Sequence, residues 1–322
     1  MIFIKDVDIC EIDDGDETFR ISENLDSPPL TASLLAVGQL NPVILLEKDS
    51  RKIIVCGFRR IRAMRRLAIS RISARLLTDE DCRGAHPFEF ALRDNLSRGQ
   101  LNPLENARAI YGLQNLCGIS RSRIIQEYLP LLGLPPHENV LSGYETLRAA
   151  RHELRRRLEE GLLTFSTVER LAKLSGEEQD RFASLATVVR MSAGTQKKVL
   201  ELLDDLRGMT GNAFTAPLDT PEIRELSGDA AATPFQKGEK LYETLYRLRY
   251  PRVSRARENF TARRNSLGLP GAIRIIPHPY FETSGLRVEF DASDAGRFRE
   301  LAGTLQKASQ SPELENLFRI EE

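Results

Sequence analysis

Residues 43–77 decide the fold: Val43-Ile-Leu-Leu-Glu47, a Lys-Asp-Ser-Arg break, Lys52-Ile-Ile-Val-Cys56, then Gly57, Phe58, Arg59-Arg-Ile-Arg-Ala-Met-Arg-Arg-Leu-Ala68 and finally Ile72-Ser-Ala-Arg-Leu-Leu77. Two short β-branched runs around a polar break predict a hairpin or neighbouring strands. Gly57 ends the second strand. Ile61, Met64, Leu67 and Ala68 then recur at helical spacing, and 72–77 predicts the next strand. Strand, helix, strand is the pattern of a small α/β domain.

The rest of the chain reads differently. From Asn102 the pattern is helical, with Pro103 just inside a helix start. Helices are expected over 103–116, 120–132 and 139–160, then over 164–174, 177–188 and 192–206. Residues 208–236 contain three Gly and three Pro and read as a linker. One long helix over 237–266, divided or kinked at Pro251, two alternating strands at 272–276 and 286–290 and a helix over 293–308 complete the chain. The expected class is α+β, multi-domain. It comprises an α/β domain over 1–100, an all-α domain over 101–207, the linker, and a small α/β domain over 237–322. The 322 residues suit two or three such domains and need no disulfide or metal staple.

Composition excludes several classes. Cys10, Cys56, Cys82 and Cys117 form no CxxC pair, and no His stands at zinc-finger spacing, so a structural zinc is not expected. No apolar run nears the ~20 residues that span a bilayer. Met1–Asp16 is acidic and unlike a signal peptide. The expectation is a cytoplasmic protein with no membrane partner. The net charge is zero, but 37 of the 46 basic residues are Arg, the side chain of bidentate phosphate and base-edge contacts; a GC-rich genome accounts for the same bias. Charge is also segregated. Residues 6–26 hold nine acids and one Arg, whereas 51–75 hold nine basic residues and no acid.

Two stretches carry chemistry. Gly57 between a strand and a basic helix start is a natural anion site, because backbone N–H groups and the helix dipole point outward there. Arg59, Arg60, Arg62, Arg65 and Arg66 have no acid in their own segment to pair with. The second stretch is Arg93-Asp-Asn-Leu-Ser-Arg98. Asp94 and Asn95 offer hard oxygens suited to Mg²⁺ beside a phosphate, and Arg98 could reach that phosphate. The plainer readings are a solvated basic helix and a polar helix C-terminus.

Taken in order, these stretches resemble the ParB/RepB partition family, whose N-terminal domain has the ParB/sulfiredoxin fold. The family pattern L-x-x-S-I-x-x-x-G-x-x-Q-P-I-x-V is similar to Leu30 through Leu45, with Ser33, Gly38 and Pro42 in place. G-E-R-R-x-R-A is similar to Gly57 through Ala63. E-N-L-Q-R-x-x-L-x-P-x-E is similar to Asp94 through Glu105. The resemblance covers residues 1–130 well, reaches about 175 loosely, and does not extend to the last 90 residues. It implies CTP bound by Gly38, Gly57, Arg59, Arg60, Arg62, Asn95 and Arg98. It also implies Mg²⁺ near Asp94 and Asn95, a clamp around double-stranded DNA, a homodimer and a ParA-type partner ATPase. Three positions depart: Phe58 replaces the family Glu, Asp94 replaces the Glu before Asn, and Ser97 replaces Gln. Without the carboxylate of position 58, binding with very slow hydrolysis is expected.

The family next has a helix-turn-helix. Here 120–132 takes the place of its first helix. The connection through Pro135-Pro136 to the second is several residues longer than usual. Along a helix over 139–160, Tyr144, Arg148, Arg151 and Arg155 share a face, with Ser142 nearby, and suit contact with a DNA groove. Residues 247–264 hold seven Arg against Glu258, interleaved with Leu248, Tyr250, Val253 and Phe260, just after Leu245. They read as a helical dimer seam, with a second nucleic-acid patch as the alternative. The overall expectation is a DNA-binding partition or transcriptional protein gated by CTP. The rivals are a small-molecule phosphotransferase on the same fold and a nucleotide-free regulator.

Overall fold

The computed structural model describes residues 4–78, 81–83, 86–226, 228–279, 281 and 285–318. They form two compact units, Met1–Ser184 and Leu185–Glu322.

The first unit opens on a five-stranded sheet of β1 (Ile4–Asp8), β2 (Ile12–Asp13), β3 (Val43–Lys48), β4 (Arg51–Cys56) and β5 (Arg71–Leu77), in the order β1-β5-β3-β4-β2. The expected hairpin is β3–β4, antiparallel, with Leu46 opposite Ile53 and Lys48 opposite Arg51. Its two loop residues, Asp49 and Ser50, both have positive φ (51° and 61°), the conformation whose twist matches a tight hairpin. β3 and β5 run parallel, so the chain must cross over between them. That crossover contains α2 (Phe58–Arg66), preceded in the chain by α1 (Pro28–Val37). α2 buries Ile61 and Met64 at 1% exposure each, worth roughly 1.5–3 kcal/mol apiece. They pack with Val43, Leu45, Ile54 and Ile72 in one core, against which Phe58 also rests. Ala68 does not extend this stripe. The helix ends at Arg66, and Ala68 sits exposed with φ 54°.

Helices follow: α3 (Pro87–Leu96), α4 (Pro103–Asn115), α5 (Arg121–Arg123), a π-helical turn Ile124–Tyr128, α6 (Leu129–Leu131), α7 (Glu138–Ala149), α8 (His152–Glu159), α9 (Phe165–Leu171) and α10 (Gly176–Val188). Asn102 starts α4 with a capping box: its side chain accepts from the N–H of Leu104 and Glu105, while the Glu105 carboxylate accepts from the Asn102 N–H. The π turn has a chemical cause. Pro130 has no N–H to give to Gln126, so the ladder widens, and the Leu129 N–H reaches back to Ile124 O.

The second unit holds α11 (Ala193–Thr210), α12 (Pro221–Leu226), α13 (Pro234–Arg249), α14 (Pro251–Ser266), the antiparallel pair β6 (Ile273–Pro277) and β7 (Leu286–Phe290), α15 (Ala295–Ala308) and α16 (Glu313–Leu317). Pro251 divides the long helix, as expected. Two expectations change. The segment 208–236 is not a linker: it buries Phe214, Leu218, Ile223 and Leu226 to 6% exposure or less, and α12 packs on α13. The Gly and Pro residues that suggested a linker punctuate short packed turns. Nor does compactness break at residue 207, since α11 packs on α13 within the second unit. Residues 101–184 likewise cluster with 1–100 rather than standing as a domain of their own.

Candidate functional site

A cleft of about 700 Å³ gathers the family-like stretches into one place. α1 contributes Leu30, Ser33 and Leu34; the loop after it contributes Gly38, Gln39, Leu40, Asn41 and Pro42. The start of α2 contributes Arg59 and Arg60, and the end of α3 contributes Asp94, Ser97 and Arg98.

Backbone shape comes first. Gly38 stops α1 with φ 71° while its N–H caps Leu34 O. Gly57 sits ahead of α2 with φ 108°, and a Cβ there would lie 2.7 Å from Val43 Cγ1. A side chain is excluded twice, by conformation and by contact. The loop between is clamped from both ends. Gln39 accepts from the Ser73 N–H and donates to Ser73 O, both at 2.7 Å. Arg60 Nη1 donates to Asn41 O at 2.7 Å and to Pro42 O at 2.8 Å.

The electrostatics favour an anion. Arg59, Arg60 and Arg98 face two carboxylates: Arg98 pairs with Asp94 at 2.5 Å, and Arg59 approaches Glu105 at 3.6 Å. Burial, and then the nearby Arg98 charge, hold the Arg60 guanidinium below its ordinary range. An incoming phosphate relieves that repulsion. Beneath the cleft, burial and then Asp94 push the Cys56 thiol up to about 12, so it is an inert core group.

The structure does not bring all the expected residues together. Arg62 turns away and pairs with Asp26 at 2.9 Å, as does Arg66; Arg65 pairs with Asp14 at 2.9 Å, Arg51 with Asp13 at 3.7 Å and Lys52 with Glu11 at 2.7 Å. The acid-free segment 51–75 is therefore not short of partners. The acid-rich segment 6–26 lies along it as a strap, and Arg59 Nε also donates to Asn24 O. Asn95 is withdrawn from ligand duty as well: its amide donates to Ala91 O at 2.8 Å and its oxygen accepts from Ser22 Oγ at 3.0 Å. Asp94 is then the carboxylate that lines the cleft. No group of three His, Cys, Asp or Glu that could hold a metal occurs among the described residues. Ser27, Gln39 and Asn41 line the cleft without having been singled out, although Gln39 and Asn41 lie within a motif stretch.

The expected DNA-reading face needs correction too. There is no continuous helix over 139–160: Ala150 and Arg151 are extended (ψ 145° and 152°) between α7 and α8. Tyr144 and Arg148 therefore stand on α7, Arg151 and Arg155 on α8 and its start, and the four do not form one helix face. Tyr144 is buried and stacks on Phe165 at 4.7 Å. Arg148 lies over the Tyr111 ring at 3.3 Å, Arg151 pairs with Asp180, and Arg155 has a buried Nε with no hydrogen-bond partner among the described residues. Ser142 accepts from Arg121, which also pairs with Glu138 and Glu145. Of the five, Arg148 and Arg151 stay exposed.

No family model matches the chain. Among curated proteins it is 33% identical over 132 residues to a probable chromosome-partitioning protein ParB of Treponema pallidum, a stretch that is 37% of this chain and 40% of that protein. It is 29% identical over 111 residues to the probable ParB of Campylobacter jejuni, 34% of this chain and 39% of that one. The chain thus matches about two fifths of the length of these relatives. Among solved structures, it aligns with Caulobacter crescentus ParB, C-terminally truncated, complexed with CTP-gamma-S (21% identity, 57% of this chain and 99% of that one, TM-score 0.23). It aligns with the same protein on the centromeric parS site (16%, 60% and 96%, TM-score 0.35) and with a Pnob8-like ParB-N domain (15%, 76% and 98%, TM-score 0.33). Such loose superpositions set no residue correspondence.

Proposed function

We propose that this ParB-like chain is a DNA-binding partition protein whose cleft between α1, α2 and α3 takes a nucleoside triphosphate, CTP by the likeness to ParB sequences. The observation that carries the reading is the convergence of Gly38, Arg59, Arg60, Asp94 and Arg98 on one cleft from three separate stretches of sequence. Arg59, Arg60, Arg98 and the start of α2 would hold phosphate, and Asp94 would hold a Mg²⁺. Bound Mg²⁺ supplies charge compensation to the phosphates. The loop 38–42, tied to Arg60 through two carbonyls, is the element that feels occupancy.

DNA is the macromolecular partner in this reading, with Arg148 and Arg151 as the exposed cations of the helical region. A homodimer fits the apolar surface of the second unit, where Ile276, Val288 and Phe298 are 40–53% exposed. A ParA-type ATPase and a nucleoid-associated cytoplasmic location complete the role by analogy with partition proteins. No helix among the described residues is long and apolar enough to cross a membrane.

The test is duplex binding by gel shift with and without CTP and Mg²⁺. Affinity should fall steeply with salt, as counterion release requires. CTP should change it in the wild type and not in Arg60→Ala. DNA binding indifferent to CTP would remove the gating; no DNA binding under any condition would favour the phosphotransferase reading.

A further inference from the structure

The second unit carries an aromatic ladder. Tyr242, Tyr246 and Tyr250 stand four residues apart on α13 and its end, so they line one face. Their ring centroids are 6.0 and 4.9 Å apart, tilted by 42° and 46°. Each ring has a cation beside it: Lys198 from α11 is 5.8 Å from the Tyr242 centroid, Arg257 from α14 is 5.4 Å from Tyr246, and Arg249 is 4.4 Å from Tyr250. All three rings are partly exposed. Arg249 is tied to Asp205 at 2.9 Å. Lys198, Arg257 and Arg264 form no ion pair among the described residues, and Arg257 and Arg264 are seven residues apart, on one face of α14.

This face is poorly suited to the dimer seam expected from sequence. Two of the apolar residues of that seam are spent internally: Leu245 is 0% exposed, and Phe260 packs with Ile275 and Leu317, which leaves Leu248 as its exposed aliphatic side chain. What remains outside on α13 and α14 is rich in aromatic and cationic side chains, beside Leu248, Glu243 and Glu258, and a second copy would set Arg against Arg. Polyanions that present flat faces suit it better. In a duplex the bases are stacked on each other and closed to the rings, whereas a single strand offers both phosphates and free base faces. A cation over a ring marks a place where a base can stack in exchange.

We propose that the α13–α14 face is a platform for single-stranded nucleic acid, with Tyr242, Tyr246 and Tyr250 stacking bases and Lys198, Arg257 and Arg264 holding phosphates.

The test is fluorescence anisotropy of a labelled 20-residue oligothymidylate and of a random duplex of equal length. The full chain is titrated without nucleotide, so failure leaves the cleft reading untouched. Wild type should bind the single strand. Tyr246→Leu with Tyr250→Leu should weaken that binding about tenfold or more, leaving the duplex and the salt slope unchanged. Arg257→Gln with Arg264→Gln should flatten the salt slope by about 1.4, at ~0.7 per phosphate contact on single strands. Three results would overturn the proposal: no binding of the oligonucleotide by wild type, equal loss on both probes in the Leu pair, or conversion of that pair to a smaller oligomer by light scattering, which would restore the seam. If the Leu pair fails to fold by circular dichroism, the salt slope of the Gln pair decides alone.

Discussion

At position 57 a methyl group meets Val43 at 2.7 Å on a backbone held at φ 108°. Gly57→Ala should therefore cost about 2–4 kcal/mol, by strain and by overpacking, read as a lowered urea midpoint. Arg60 makes a different demand, since it gives one nitrogen to two carbonyls. Arg60→Lys keeps the charge and loses the fork; nucleotide affinity should drop at least tenfold while stability changes little. Phe58 rests on the sheet core and supplies no carboxylate, so phosphate release should stay below ~1 s⁻¹, the low end of ordinary enzymes, with or without DNA. Faster turnover would require a base elsewhere. Cys56, pushed up to about 12 by burial, should resist iodoacetamide at pH 8 in the native chain and react in urea. Gly57 and Arg60 were legible from sequence because a turn between strand and helix admits few residues and one geometry. Arg62 and Asn95 were not, because their partners, Asp26 and Ser22, lie about 36 and 73 residues away along the chain.

Among the elements, the strap of residues 9–26 explains how a helix with no acid of its own lies quiet. Its ion pairs are largely solvent-exposed, so each is worth about 0–1 kcal/mol and weakens with salt. Asp26→Asn releases Arg62 and Arg66 together. It should lower stability by less than ~1 kcal/mol and raise non-specific duplex affinity several-fold at low salt, an effect that 0.5 M salt should erase. A second element-level hold ties α5 to α7 through Arg121, Glu138 and Glu145, and α4 to α7 through Gln114 and Glu145. Burial opposes ionisation of Glu145, but the hydrogen bonds from Arg121 and Gln114 outweigh it and keep the carboxyl below its ordinary 4.5. A depressed carboxyl stabilises the fold above its unfolded pKa, and that contribution fades as pH falls through the folded value. Stability should therefore decline below about pH 4.5, and Glu145→Gln should flatten the decline. The hairpin and α2 were readable from their periods. The break between α7 and α8 was not: Ala150-Arg151 is a sequence with good helix propensity, and the Gln179 side chain accepts the Arg151 N–H that a continuous helix would use.

At the scale of the molecule, a mixed α/β unit presents the cleft, and a second unit adds a helical and two-stranded body that the family-like motifs do not reach. The boundary was misplaced in sequence because Gly and Pro in 208–236 look alike in a linker and in packed turns; only the buried Phe214, Leu218 and Ile223 distinguish them. The central claim is that three stretches, separated in the chain, build one triphosphate site. Isothermal titration measures it most directly, with CTP, ATP and GTP in Mg²⁺ on the wild type, Arg59→Ala and Arg60→Ala. The account predicts one clear binder, CTP, with the heat abolished in both variants. No heat from any nucleotide, or heat that survives both substitutions, would contradict it.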